Sequence, residues 1–163
     1  MLAPQRPMNR AERLVARFLV SRFGHWFGLY VLPRIDRPLL RLSRGRFSMS
    51  PGQPILLLMS TGAKSGRRRG TPLLFLPDSD RIIVLASNGG LDRHPAWYYN
   101  VRAHPQVTVY RAGSIKSYVA REAHDPERAE LWRKAMDYYL GFALYEQWTK
   151  RQIPVIVLEP HEA

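Results

Sequence analysis

The stretch Ser60 to Thr71, S-T-G-A-K-S-G-R-R-R-G-T, constrains this chain most, because it sets three glycines and four cations between two apolar runs. Ile55 to Met59 precede it and Pro72 to Leu76 follow it. Short apolar runs bounded by turn residues predict strands, so the stretch reads as a loop joining two buried strands. A glycine-rich loop can turn backbone N–H groups toward a ligand with no side chain in the way. Lys64, Arg67, Arg68 and Arg69 add charge suited to phosphate or carboxylate. The same residues would also make an ordinary solvated hairpin tip, and the stretch alone does not separate an anion cradle from that alternative.

The charge of the whole chain bears on that choice. Its formal net charge is +12 over 163 residues, distributed as +8 in residues 1–50, +5 in 51–115 and −1 in 116–163. The basic character therefore belongs to the first two-thirds, which points to an anionic membrane face, an acidic ligand or nucleic acid as the contact there. The length suits one domain. With no cysteine, the chain has no disulfide, thiolate nucleophile or Cys-ligated metal, and cytoplasm is the default compartment.

Residues 10–23 have helical spacing, with Ala11, Leu14, Val15, Phe18 and Leu19 on one arc and Arg10, Arg13 and Arg17 beside it. Followed by His25, Trp26, Phe27 and Tyr30, residues 10–32 resemble a peripheral contact with the inner face of the cell membrane. The alternative is a helix packed on its own domain with arginines outward. The longest uncharged run here, Phe23 to Pro33, is too short to span a bilayer. Asp36 can cap a short helix over 37–42. Pro51, Gly52 and Pro54 then mark a boundary, so residues 1–50 read as a basic helical extension and 51–163 as the core domain.

Within the core, strands are expected at 55–60, 71–76, 81–87, 106–110, 114–122 and 155–159. A short helix follows Pro95, a longer one capped by Asp125 runs to Leu140, and another covers 143–150. Hairpin-length spacing predicts an antiparallel meander, and about six such strands close into a small, mainly β barrel with peripheral helices. A barrel of that size fills its lumen with side chains and would hold a flat cofactor at its rim or at a dimer seam.

The five histidines are dispersed, so no metal site is expected. A Walker phosphate loop fails at Ala63 and Leu58, and neither a G-x-S-x-G elbow nor a nucleic-acid motif is present. The second informative stretch is Leu85 to Pro105, L-A-S-N-G-G-L-D-R-H-P-A-W-Y-Y-N-V-R-A-H-P. A strand ending in Ser87, Asn88, Gly89 and Gly90 exposes N–H groups, and the next helix carries Trp97 and Tyr98. Together they suit a ring-and-phosphate ligand. The alternative is that Trp97, Tyr98 and Tyr99 are simply core.

T-G-A-K-S-G-R-R-R-G-T-P-L, A-S-N-G-G, H-P-A-W-Y-Y-N-V-R-A-H-P-Q-V and Y-E-Q-W-T-K-R-Q-I-P-V-I-V-L-E-P, in this order, resemble the deazaflavin-dependent nitroreductase family. These are actinobacterial reductases, F-420-dependent quinone reductases among them, that use coenzyme F-420. The resemblance covers about residues 30–160. It implies a split β-barrel of the flavin-reductase type that binds the deazaflavin with its phosphate and oligoglutamate tail, FMN being the alternative cofactor. It further implies hydride transfer to a quinone, nitroaromatic or activated alkene, the alternative being a non-catalytic F-420-binding or storage protein.

Matched position by position, the resemblance implies that Lys64 and Arg69 grip the phosphate and tail, with Thr61, Gly62 and Ser65 shaping the turn. By the same resemblance Ser87, Asn88, Gly89 and Gly90 are expected beside the ring, and Pro95, Ala96, Trp97, Tyr98 and Asn100 are expected to wall the cofactor. Ser87, Tyr139 and Tyr145 are the catalytic candidates, with Phe142 where relatives carry another tyrosine. The family pattern has Arg at position 63 and Lys at 88, where this chain has Ala63 and Asn88, and an aromatic is frequent at Leu74. The implied partners are a small quinone-like acceptor and no nucleic acid, with oligomeric state open.

Overall fold

The structure is a computed structural model that describes residues 27, 28, 30–50, 52–139 and 141–161, with backbone alone at 141–144. The segment 10–23, and so most of the stretch read as a membrane contact, lies outside the described residues. Seven strands form one antiparallel sheet: β1 (Ile55–Thr61), β2 (Arg68–Leu74), β3 (Leu76–Asp78), β4 (Arg81–Leu85), β5 (Gln106–Arg111), β6 (Ser114–Glu122) and β7 (Val155–Pro160). Their spatial order is β2-β1-β5-β6-β7-β4-β3. Among the described residues the helices are α1 (Leu32–Leu42), α2 (Ala96–Ala103), α3 (Glu127–Tyr138) and α4 (Gly141–Trp148), with a 3-10 turn at Asn88–Gly90.

The seventh strand comes from the run 71–76, which breaks at Phe75. β2 and β3 are the two outer strands of the sheet, yet only Phe75 separates them along the chain. The sheet must therefore curl until its outer strands meet, which gives a mainly β half-barrel and brings two otherwise open edges together.

Strand alternation divides the apolar residues between two faces. Leu56 and Leu58 point into the barrel with Ile82, Val84, Val107, Val109, Ile156 and Leu158. Trp97, Tyr98 and Val101 of α2 fill the same interior. On the outer face, Leu57 and Met59 meet Leu40 of α1, while Ile83, Leu85, Val155 and Val157 meet Leu131 and Ala135 of α3. The helices thus cover the outer face, except α2, which plugs the barrel.

Three local expectations need correction. Asp36 does not cap a helix: α1 begins at Leu32, where Pro33 fits the first turn, and Asp36 lies inside it at 2% exposure. Its carboxylate accepts the Met49 N–H (2.6 Å) and the Ser48 hydroxyl (3.2 Å), pinning the loop that leads to β1. Asp125 does not cap α3, which starts at Glu127 with no side-chain cap. The expected strand 81–87 stops at Leu85, because Asn88, Gly89 and Gly90 all have left-handed φ (50°, 62° and 80°), which ends a strand.

Candidate functional site

Because every pairing is antiparallel, Thr61, Arg68, Gln106, Glu122, Val155 and Leu85 come out at one end of the barrel. That end carries both stretches singled out in the sequence. Two surface hollows, of about 490 Å³ beside Asp80 and Glu159 and about 390 Å³ between Arg46, Phe47 and Phe75, lie toward the opposite end.

The turn between β1 and β2 is compact. The Gly62 N–H donates to the Arg67 carbonyl (2.9 Å) and the Gly66 N–H to the Gly62 carbonyl (2.8 Å). A side chain at Gly62 would stand 2.6 Å from Ser65 Oγ and 3.3 Å from the Arg67 carbonyl, so one fits only if the Ser65 hydroxyl swings away. Lys64, Ser65, Arg67, Arg68 and Arg69 are all exposed, and no acidic residue lies between Thr61 and Gly70. Asn100 of α2 fastens this turn to the plug: its Oδ1 accepts the Ala63 N–H (3.0 Å) and its Nδ2 donates to Ser60 Oγ (3.3 Å).

The register assigns directions that the sequence left open. Arg69 pairs with Ser60, and Arg68 with Thr61. By alternation Arg69 shares the barrel-interior face with Ser60 and Leu58, so it heads toward the mouth where Asn100 sits. Arg68 falls on the outer face, where its guanidinium donates to Thr108 Oγ1 of β5 (3.1 Å).

The second half of the site is the strand end after β4. Ser87 is buried, at 9% exposure, and its carbonyl accepts the Gly90 N–H (3.0 Å). The Asn88 side chain donates to the Arg93 carbonyl (2.9 Å), so it shapes its own loop. A Cβ on Gly90 would stand 2.9 Å from Trp148 Cβ and 3.2 Å from the Tyr145 carbonyl, so α4 presses directly on this loop. Pro95 and Ala96 then open α2, which carries Asn100 back to the glycine-rich turn. About 7.5 Å of helix rise separates Pro95 from Asn100, so α2 links the cation loop to the strand end.

Trp97 and Tyr98 are each 5% exposed and belong to the barrel core, the alternative reading of the sequence. Tyr98 donates its hydroxyl to Glu122 (2.9 Å). Tyr99 is the aromatic that α2 leaves exposed. Tyr139 and Tyr145 share a hydrogen bond. Burial pushes both phenols above their ordinary range, so both stay protonated near neutral pH.

Arg151, which the sequence reading did not single out, converges on the strand end from just before β7. Its Nη2 donates to the carbonyls of Ala86 (2.9 Å) and Ser87 (2.7 Å), its Nε to the Leu91 carbonyl (3.0 Å), and its Nη1 lies 3.0 Å from His94 Nδ1. Asp92 ties the same loop in the other direction, accepting the Thr149 hydroxyl (2.9 Å) and the Lys150 N–H (3.2 Å). The only sequence signal was the R-Q-I-P inside the last quoted motif, and nothing local shows where that arginine folds.

A curled antiparallel half-barrel with a helix in its mouth, a cation-bearing turn on one side and a glycine strand end on the other defines a split-barrel protein of the flavin-reductase fold type. Residues 35–160 match the family model described as F420H(2)-dependent quinone reductase. The chain belongs to that family. An F420H(2)-dependent quinone reductase of Mycobacterium tuberculosis is 36% identical over 132 residues, 78% of this chain and 89% of the relative. Among solved structures, an F420-H2-dependent reductase is 39% identical with a TM-score of 0.61, covering 65% of this chain and 94% of its own. Another, described as a domain-swapped dimer, is 34% identical with a TM-score of 0.63, covering 77% and 96%.

Proposed function

We propose that this protein binds reduced coenzyme F-420 across the barrel end and uses it to reduce a quinone-like acceptor. One observation carries the reading. The exposed, acid-free cation turn and the glycine strand end lie at the same barrel end, joined by α2 through the Asn100 bonds to Ala63 and Ser60. The residues fit the coenzyme's chemistry: Lys64 and Arg69 would hold the phosphate and tail carboxylates, with Thr61, Gly62 and Ser65 setting the turn. Ser87, Asn88, Gly89 and Gly90 would lie along the ring, chiefly through backbone, because a side chain at Gly90 is excluded by Trp148. Pro95, Ala96 and Asn100 would form the wall that Trp97 and Tyr98 anchor from inside the barrel.

When bound, the reduced deazaflavin supplies a hydride. The chain's own work is to bind, orient and exclude water. Tyr139 and Tyr145, protonated and hydrogen-bonded to each other, are the candidate proton-holding groups: their side chains pack against the outer-face cluster that includes Leu85, and the Tyr145 backbone lies beside Gly90. Ser87 is the remaining polar candidate there.

Anaerobic oxidation of reduced F-420 by menadione, followed by absorbance, tests the activity. Turnover is expected; tight binding with flat absorbance would leave a binding or storage protein. Peripheral membrane contact through residues 10–32 is part of the proposal. It is supported by the apolar arc and arginines of 10–23, while no helix among the described residues is long and apolar enough to cross a membrane. Replacing Leu14, Phe18 and Leu19 by Ser should abolish co-sedimentation with anionic liposomes; unchanged partitioning would refute the contact.

A further inference from the structure

We propose that Arg151 is a positioning residue that holds the Ser87–Gly90 strand end in its binding shape and fixes which nitrogen of His94 carries the proton. The proposal rests on the reading that this strand end faces the cofactor. Three carbonyls, of Ala86, Ser87 and Leu91, converge on one guanidinium at 2.7–3.0 Å, bracketing a run of three left-handed residues. Three partly buried carbonyls that point to one place need donors to receive them, and the guanidinium is the donor that the structure puts there. A guanidinium meets that need, because its rigid fork reaches several acceptors at once.

The remaining Nη1 donates toward His94 Nδ1 at 3.0 Å. An arginine cannot accept, so Nδ1 is the unprotonated nitrogen and the ring proton sits on Nε2. His94 is half-buried, with ring centroids 4.7 Å from Tyr98 and 6.0 Å from Tyr99. Burial and then the Arg151 charge hold the imidazole below its usual range; Arg102 acts in the same direction and Glu122 against it. Arg151 follows directly on α4 and the Thr149–Asp92 bond, so the helix bearing Tyr145 and the strand end form one unit. A merely structural arginine would stabilise the fold without setting the loop shape or the tautomer.

The test uses the full chain with Arg151→Met and Arg151→Lys. The tail is held by the separate turn at 62–69, so F-420 affinity should change less than about threefold, whereas kcat for menadione reduction should fall at least about tenfold in Arg151→Met. Arg151→Lys keeps the charge but has one ammonium for four acceptors, so an intermediate loss is expected. It also carries the test if Arg151→Met does not fold.

Nitrogen NMR of His94 without any cofactor is the independent readout. The native ring should show a single Nε2–H tautomer, and Arg151→Met a mixture of tautomers with titration at higher pH. Arg121→Gln, which removes ion pairs to Glu127 and Glu159 on the outer face, is the stability control and should leave kcat unchanged. An unchanged His94 tautomer with kcat within twofold of native in both Arg151 variants would overturn the proposal. So would an equal fall of kcat in Arg121→Gln. Failure of the native chain to bind F-420 would overturn the functional reading, while the His94 measurement would still decide the role of Arg151.

Discussion

Arg68 and Arg69 are neighbours in sequence and equally charged, yet they should differ sharply in their effect on coenzyme affinity. Arg69 shares the barrel-interior face with Ser60, whose hydroxyl is tied to Asn100 at the mouth, whereas Arg68 lies on the outer face bonded to Thr108. A unit charge about 4 Å from a carboxylate or phosphate is worth about 1 kcal/mol in water and about 4 kcal/mol at the effective dielectric near a protein surface. For an exposed arginine a value near the low end applies, and about 1.4 kcal/mol is a tenfold change in Kd. From the opposite face, about 10 Å away, the same charge contributes about 0.4 kcal/mol in water, which a Debye length of about 8 Å reduces to about 0.1 kcal/mol. Arg69→Ala should therefore weaken F-420 binding about tenfold and Arg68→Ala less than about 1.5-fold, with Lys64→Ala behaving like Arg69→Ala. Fluorescence titration of F-420 at physiological ionic strength measures all three. Equal losses for Arg68→Ala and Arg69→Ala would show that strand register does not set the cradle.

The other predictions concern the rest of the site and the fold. Asn100→Ala removes both bonds between α2 and the cation turn and should cost about 1 kcal/mol, or roughly fivefold in F-420 affinity, by the same titration. Tyr145→Phe should slow menadione reduction about tenfold or more with F-420 binding unchanged; an unaltered rate would remove Tyr145 from the proton path. Gly90→Ala places a Cβ 2.9 Å from Trp148 at φ +80° and should destabilise the protein by about 1–3 kcal/mol, read as a lower Tm. Hydrogen bonding to Arg121 holds the Glu127 carboxyl below its ordinary value of 4.5, so its stabilisation is fully present above pH 4.5 and is lost as pH falls through the depressed folded value. Glu127→Gln should cost about 1 kcal/mol at pH 7 and nothing once the carboxylate is protonated, as denaturant titrations at the two pH values would show.

The strands were legible because their apolar runs are short and end at turn residues, as at Pro77 to Asp80 and Ala112–Gly113. The two loops were legible because glycine and cations cluster there. What the sequence hid depends on direction and distance. The break at Phe75, which turns one predicted strand into the two edges of the barrel, has no glycine or charge to mark it. Asp36 looks like a cap because caps are the common local use of aspartate, and only the fold shows Ser48 and Met49 meeting its carboxylate. Arg68 and Arg69 are indistinguishable until β2 has a register. Trp97 and Tyr98 could have faced a ligand or the lumen, and α2 plugging the barrel decides for the lumen. Arg151 lies 60 to 65 residues from the carbonyls it gathers, and no periodicity or motif spacing reports a contact of that range.

The most direct test of the account is a parallel titration of the full chain with F-420, FMN and FAD across a range of salt. A barrel end built for a long acidic tail predicts saturable F-420 binding that weakens steadily with salt, with FMN and FAD at least about tenfold weaker. FMN binding as tightly as F-420, or F-420 binding indifferent to salt, would contradict it.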